Sequence, residues 1–163
     1  MKRGCLTTLL VLGLCVGALV AGYWYKYPDY SYRYRLTVNI EVDGKIHSGS
    51  SVIEVTWRAG PVFADGGPFG STVKGQAAVV DFGDRGVVVA ILGEGYGPAT
   101  DGALGALWVA AEAFGNHSTA QEIPHLPDLH GKRDIALSKL PRLLWFANPQ
   151  DPTTAKRLLV QDI

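Results

Sequence analysis

The chain has 163 residues, and its 15 basic and 15 acidic side chains give it a formal net charge of zero. Because no basic run stands out either, the sequence lacks the electrostatic footprint of a nucleic-acid-binding protein. Its 20 glycines and 9 prolines accompany little predicted helix beyond the N-terminal segment, so we expect a strand-rich α+β fold.

The first element is an uncharged apolar segment from Gly4 to Tyr25, with Lys2 and Arg3 before it and Lys26 after it. As a helix it would rise roughly 33 Å, about the thickness of a membrane's hydrocarbon core. Its last residues are aromatic, and tyrosine and tryptophan favour the membrane interface. The segment therefore predicts a transmembrane helix over residues 4–25, which anchors the chain to a membrane.

A cleaved secretory signal peptide is the alternative interpretation of this segment. Lys2 and Arg3 supply the basic start, residues 6–20 supply the apolar run, and Leu19-Val20-Ala21 is a passable cleavage site. Either interpretation sends the rest of the chain to or across a membrane. The sequence leaves the choice between them open.

The orientation prediction comes from the very short basic N-terminus, since such a terminus most often stays in the cytoplasm. We therefore expect residues 1–3 in the cytoplasm and a single-pass protein, which would lie in the inner membrane if the source is bacterial. Residues 26–31 form a linker, and residues 32–163 form one periplasmic α+β domain. Cys5 and Cys15 both lie in the apolar segment, so this domain has neither a disulfide nor a thiol nucleophile.

The first predicted strand runs from Tyr32 to Val42, where apolar and polar side chains alternate without a break. Asp43-Gly44 follows it, and this dipeptide is typical of a two-residue type I′ hairpin turn. If Val42 lies opposite Lys45, the tyrosines of the first strand fall opposite Ile53, Val55 and Trp57 of the second, so one face of the ribbon is aromatic and apolar at its open end. The same register leaves a shallow dip at Gly49, which another element could fill.

A second hairpin is predicted after a long connection. Residues 59–75 have the glycine and proline content of a loop. Residues 76–82 and 87–92 then flank a turn, and both strands are apolar on their two faces. Strands of that kind are typical of the middle of a sheet, so we expect both to be central.

The best helix outside the membrane segment spans residues 103–114. Asp101 can cap its start, and Gly115 can end it. Its apolar face is expected to pack on the sheet. The rest of the chain is predicted to hold an irregular stretch over residues 116–139, a strand over 140–146, a short helix from Asp151-Pro152 through Arg157 and a strand over 158–160.

Four sequence segments carry a resemblance to a known group of proteins. They are YRYRLTVNIEVDG, SGSSVIEVTW, GQAAVVDFGDRGVVVAIL and LPRLLWFANPQDPTTAKR, and they cover most of residues 32–157. Together they resemble a family of small bacterial exported or membrane-anchored proteins that has no assigned activity. The resemblance implies a bacterial envelope setting and supplies no active site.

One polar stretch contains the residues best suited to metal binding, which are His117, His125, Asp128 and His130. Imidazole and carboxylate groups are ligands for zinc and similar divalent ions. Two prolines interrupt the stretch, however, and they prevent a regular helix from presenting two ligands on one face. An ordinary solvated loop explains the same residues, so we expect no metal.

Two further patterns fall short of a catalytic or cofactor site. Gly93, Gly95 and Gly97 precede the predicted helix, but the dinucleotide-binding fingerprint needs a third glycine at the position of Pro98 and a parallel βαβ unit. Ser48, Ser50 and Ser51 lie close to His47 in the sequence, but neighbours on a strand point to opposite faces. We expect no cofactor.

The sequence therefore predicts a membrane-anchored envelope protein that acts as a non-catalytic protein-binding or structural module. Its expected partners are the membrane, through the N-terminal helix, and another envelope protein. A more specialised form of this prediction is an inhibitor of, or immunity protein against, an envelope toxin. The alternative from a different class is a metal-dependent enzyme that uses the loop from His117 to His130.

Overall fold

A computed structural model of the chain describes residues 2–62, 67–93, 105–116 and 119–158, with side chains from Thr8 onwards. It confirms the α+β class, because an N-terminal helix is followed by antiparallel sheets. The order β1-β2-β3 forms one sheet, and the order β4-β5-β6-β7 forms another. The helices and strands are α1 (Lys2–Lys26), β1 (Asp29–Val42), β2 (Lys45–Ala59), β3 (Phe69–Gly75), β4 (Ala78–Asp81), β5 (Val87–Ala90), α2 (Val109–Ala113), β6 (Leu143–Phe146) and β7 (Ala155–Leu158).

The chain divides into two compact units, and the first consists of residues 1–29 and 58–70. Helix α1 dominates it. The stretch Thr8–Lys26 is long and apolar enough to cross a membrane, and none of it is buried by the rest of the chain. Leu14 and Leu19 are 73% and 74% exposed. The helix is thus apolar all round with no protein core to cover it.

The same unit contains the outer ends of the first hairpin. The Arg58 guanidinium reaches the Asp29 carboxylate with a shortest N–O distance of 3.3 Å, and the Ala59 amide donates to the Pro28 carbonyl. The Gly60 amide donates to the Pro68 carbonyl across the following connection. These contacts extend β1 back to Asp29, three residues before the start that the alternation predicted.

The second unit, residues 30–57 and 71–163, contains most of the first hairpin. Asp43 and Gly44 have φ values of 54° and 73°, as a type I′ turn requires. The side-chain contacts along the ribbon agree with Val42 lying opposite Lys45, and so confirm the predicted register. They join Ser31 with Thr56 at 2.6 Å, Arg33 with Glu54 at 2.5 Å and Asn39 with Ser48 at 2.7 Å.

Strand β4 fills the dip that the register predicted at Gly49. A Cβ atom at Gly49 would collide with the backbone carbonyl of Val79, so the two backbones touch where a side chain would normally stand. This contact lets the two sheets approach each other closely. The buried apolar core includes Leu36, Ile53 and Val55 from the first sheet and Ala78, Val80, Val88, Ala90 and Leu143 from the second.

The prediction of a loop throughout residues 59–75 is wrong for Phe69–Gly75, which forms β3 at the edge of the first sheet. Six of its seven residues are exposed, so the strand carries no apolar alternation for sequence analysis to detect. At its end Gly75 has φ +149° and packs on the backbone of Val52 and Ile53. A side chain there would be both strained and crowded.

The second hairpin is confirmed, since β4 and β5 pair with Val79 opposite Val89. The expectation that both strands are central is wrong for β4, which lies at the edge of its sheet. Val79 is accordingly 45% exposed. The next residue, Val80, is fully buried, so β4 has one buried face and one exposed face, although Val79 on the exposed face is apolar.

Strand β6 confirms the strand expected over residues 140–146, and it lies between β5 and β7. Val88 lies opposite Trp145, and Trp145 lies opposite Lys156. Asp151 caps a single 3-10 turn, Pro152–Thr154, by accepting from the Thr153 amide. The helix predicted through Arg157 stops there because β7 begins at Ala155 and continues the sheet.

Helix α2, Val109–Ala113, is shorter than the helix predicted over residues 103–114. The proposed cap, Asp101, lies outside the described residues. The hydroxyls of Tyr32 and Tyr34 donate to the carbonyls of Leu107 and Ala106, at 2.8 and 2.7 Å. Residues 106–108 form a turn, and the regular helix begins only at Val109. The helix end at Gly115 is confirmed, since φ is +80° there and the amides of Gly115 and Asn116 bond back to Glu112 and Ala111.

The irregular stretch after α2 contributes to the core, which the sequence did not predict. Ile123 and Leu126 lie on a 3-10 segment, Ile123–Asp128, and are 2% and 1% exposed. Their spacing of three residues matches the period of a 3-10 helix. The prolines within the segment disfavour an α-helix, and for that reason the sequence did not predict a helical turn with a buried face here.

We expect Gly49→Ala to destabilise the domain by about 1–3 kcal/mol, because the added methyl group meets backbone rather than a side chain that could move aside. Gly70→Ala on β3 is the matched control, since its Cβ would meet nothing within 4 Å. Urea unfolding of the full chain in detergent measures both. Equal unfolding free energies of the two variants would show that the close contact between Gly49 and the Val79 backbone does not contribute to stability.

We expect the free energy of unfolding to fall as the pH rises from 10 towards 12. Burial raises the pKa of the Tyr32 phenol from 10.0 to about 12, and burial also raises the pKa of Tyr34. A phenol whose pKa is higher in the folded chain than in the unfolded chain stabilises the fold at every pH below the unfolded-state pKa. This stabilisation is lost as the pH rises through the folded-state pKa. Alkaline unfolding followed by circular dichroism measures the slope.

The double variant Tyr32→Phe with Tyr34→Phe serves as the control for that titration. It removes both phenols, and its unfolding free energy should change less with pH in the same interval. A slope identical to that of the unaltered chain would assign the alkaline transition to other groups.

Candidate functional site

The second unit contains a cleft of about 490 Å³ between the tip of the first hairpin and the second sheet. Its volume lies in the range of natural ligand and partner sites. The walls are mainly apolar and the rim is charged. The apolar lining residues are Ile40, Val42, Phe82, Val88, Trp145 and Leu158, and the charged ones are Glu41, Asp43 and Arg85.

The register of the strands explains why these residues meet. Ile40 and Val42 are inward-facing positions of β1, the last two before the turn. Val88 and Trp145 are direct cross-strand neighbours on β5 and β6. Leu158 ends β7, so the cleft opens between β1 and β7, which are edge strands of their respective sheets.

Polar contacts hold the rim of the cleft in place. The Arg85 guanidinium donates to the Asp43 carboxylate at 2.7 Å, which ties the 3-10 turn of the second hairpin to the tip of the first. The Trp145 indole N–H donates to the Arg85 carbonyl at 2.9 Å. The Lys156 ammonium lies 5.9 Å from the centre of the Trp145 ring. The indole is thereby fixed as one wall of the cleft.

The one histidine of the first hairpin, His47, packs against Phe82, a lining residue of the cleft. The His47 ring lies 4.9 Å from the Phe82 ring, and its Nδ1 is 3.1 Å from the Asp81 carbonyl oxygen. Ser48 is turned to the other face, where its hydroxyl donates to Asn39. The structure therefore does not bring Ser48 and His47 together as a nucleophile and its base.

The histidine-rich stretch does not form a cluster in the part of the chain that the structure describes. His125, Asp128 and His130 are all exposed, and no group of three or more metal-ligating side chains forms among the described residues. His117 lies outside them. Gly93 is described, whereas the other glycines of that pattern, Gly95 and Gly97, are not.

The cleft arrangement suits an apolar partner better than a reacting substrate. Apolar walls with a charged rim resemble the anatomy of protein interfaces, where an apolar centre is surrounded by polar groups. Trp145 offers a large, rigid contact surface with few rotatable bonds. Arg85 and Asp43 already pair with each other, so Glu41 is the charge at the rim that could orient a partner.

Sequence analysis predicted that Val42 faces inward but did not predict the cleft. Its walls come from residues more than 100 positions apart in the chain, Ile40 and Trp145 among them. One available signal was the pair of aromatic residues, Phe82 and Trp145, each at the end of an apolar strand. Phe82 and Trp145 come together only because β5 pairs with β6, and local sequence pattern does not determine that pairing.

Comparison of the chain with protein-family models, with curated proteins and with solved structures finds no match. The resemblance to exported or membrane-anchored bacterial proteins therefore stays a prediction. The geometry of the cleft and the apolar, uncovered surface of α1 are the features that bear on function.

We expect Asp43→Asn to cost less than about 1 kcal/mol of stability and Asp43→Val to cost about 1–2 kcal/mol more. Asparagine tolerates the left-handed conformation at φ 54°, so it loses only an ion pair whose partners are 54% and 79% exposed. Valine is strained there. Urea unfolding compares the two variants, and an equal cost would show that the ion pair matters more than the turn conformation.

Proposed function

We propose that this chain is a membrane-anchored protein of the bacterial envelope whose periplasmic domain binds another envelope protein. It acts by binding, without catalysis. The observation that carries the proposal is an apolar cleft with a charged rim on a folded unit that follows a membrane-competent helix. The cleft would receive apolar side chains of the partner.

The exposure of α1 supports anchoring. Burying a leucine or valine side chain is worth about 1.5–3 kcal/mol. The leucines and valines of α1 are exposed on all sides of the helix. A bilayer removes that surface from water without any further protein contact. Tyr23, Trp24 and Tyr25 stand at its C-terminal end, where aromatic side chains match the interface.

The flanking charges support the orientation. Lys2 and Arg3 directly precede the helix, and basic residues beside a membrane helix favour the cytoplasmic side. The domain after Lys26 would then lie in the periplasm. It contains no cysteine, so an oxidising compartment places no demand on its folding.

The rigidity of the cleft supports a protein partner. Trp145 and Arg85 are held in place before anything binds, so little side-chain freedom is lost on association. Aromatic and arginine side chains of this kind dominate the binding energy of many protein interfaces. Val42 and Leu158 offer further apolar contact at the two sides of the opening.

The test places a photoreactive phenylalanine analogue at Phe82 in the full chain, expressed in a bacterial host. We expect ultraviolet light to yield a crosslinked protein of defined mass in the membrane fraction. The same analogue at Ser50, on the outer face of β2, is the matched control and should give none. Val42→Trp, which fills the opening, should abolish the Phe82 adduct.

Anchoring and orientation are read from the same preparation. We expect the chain to keep its full mass and to remain in the membrane pellet after carbonate extraction. With Cys5 and Cys15 replaced by serine, Ser50→Cys should react with a membrane-impermeant thiol reagent in intact spheroplasts. A shortened soluble product would contradict the anchor, and equal adducts from Phe82 and Ser50 would contradict the binding role of the cleft.

A further inference from the structure

The outer edge of β1 is a long open strand edge in the second unit. Strand β1 has 14 residues and pairs with β2 alone; no other strand among the described residues runs beside it. An unpaired edge presents a row of backbone donors and acceptors that a further strand can complete. Any partner on this edge must therefore offer extended backbone.

The hairpin turn determines which residues present those groups. A two-residue turn makes Val42 and Lys45 a hydrogen-bonded pair, so the even-numbered residues of β1 bond to β2. The odd-numbered residues direct their N–H and C=O groups to the open edge. Their side chains form the exposed outer face, whereas the even-numbered Leu36 and Ile40 are buried.

Charge along the outer face of β1 changes sign from one end to the other. Arg33 and Arg35 lie in its first half, and Glu41 lies near its end. Arg33 is already paired with Glu54. Arg35 and Glu41 are exposed and make no ion pair with any residue that the structure describes.

We propose that the occupant of this edge is a second copy of the same chain, paired antiparallel along β1. With Val38 opposite Val38 of the second copy, each Arg35 lies opposite the Glu41 of the other copy. The two-fold symmetry makes this ion pair twice, and each copy's backbone groups bond to those of the other. The inference goes beyond the proposed function, because it concerns backbone pairing along the open edge of β1, although Glu41 at the end of that edge also lies at the rim of the cleft.

The charges select this arrangement over the other pairings of the same two edges. A parallel in-register pair would set Arg35 against Arg35, and like charges directly opposite each other are unfavourable. An antiparallel pair centred on Thr37 would place Arg35 opposite Asn39 and would leave its charge without a partner. A net charge of zero also removes general repulsion between the copies.

Charge reversal tests the proposal on the full chain in detergent micelles, with the monomer–dimer equilibrium followed by analytical ultracentrifugation. We expect Arg35→Glu and Glu41→Arg each to raise the dimer dissociation constant by roughly tenfold or more, because each turns two attractions into two repulsions. An equimolar mixture of the two single variants should regain the dimer, since every contact between them is again of opposite charge.

Matched controls separate this contact from a change in net charge or folding. Lys132→Glu and Asp134→Arg make the same charge changes at exposed positions outside the sheets and should leave the constant unchanged. The double variant of Arg35→Glu with Glu41→Arg should dimerise like the unaltered chain. Circular dichroism of each variant verifies its fold.

Disulfide trapping gives a second measurement, in chains whose two native cysteines are replaced by serine. We expect Val38→Cys to form a disulfide-linked dimer under mild oxidation and Ser50→Cys not to form one, since Val38 faces itself across the two-fold axis. A chain that stays monomeric at every concentration would overturn the proposal. A dimer indifferent to both reversals, or one trapped by Thr37→Cys in preference to Val38→Cys, would also overturn it.

Discussion

The type I′ turn at Asp43-Gly44 is the constraint on which the rest of the folded unit depends. Both residues occupy the left-handed region, and this conformation sets Val42 opposite Lys45. Because side chains alternate along a strand, a slip of one residue would move every inward residue of the hairpin to the outside. The buried core, the hydrogen bonds from Tyr32 and Tyr34 to the turn before α2 and the dip at Gly49 all require this one register.

The second sheet contacts that hairpin at Gly49, at His47 and at Asp43. Strand β4 crosses the first sheet at Gly49, where the missing side chain admits the Val79 backbone. From there β5, β6 and β7 follow in antiparallel order, and they bring Val88 and Trp145 to the hairpin tip. The cleft therefore lies between two sheets that touch at Gly49 and are also joined at its rim by Arg85 and Asp43.

The proposed activities use different parts of this arrangement. The cleft is lined at the hairpin tip mainly by inward-facing residues, whereas the proposed self-association uses outward-facing residues of the same strand, β1, and Glu41 belongs to both. In the proposed anchoring, helix α1 confines copies of the chain to one membrane, where even a weak contact would become populated because the effective concentration is high. A binding module of this kind needs few charged residues at its centre, and Arg85 and Asp43 at its rim neutralise each other.

Local pattern alone determined α1, the first hairpin and its register, since continuous apolarity, strict alternation and an Asp-Gly turn are each readable over neighbouring residues. Tertiary structure alone decided the rest. Strand β3 pairs although its own residues are exposed, α2 is shortened at a turn whose carbonyls accept from Tyr32 and Tyr34, and Ile123 and Leu126 enter the core from an irregular stretch. The cleft was also decided by tertiary structure alone, because its walls meet only after strands distant in sequence have paired.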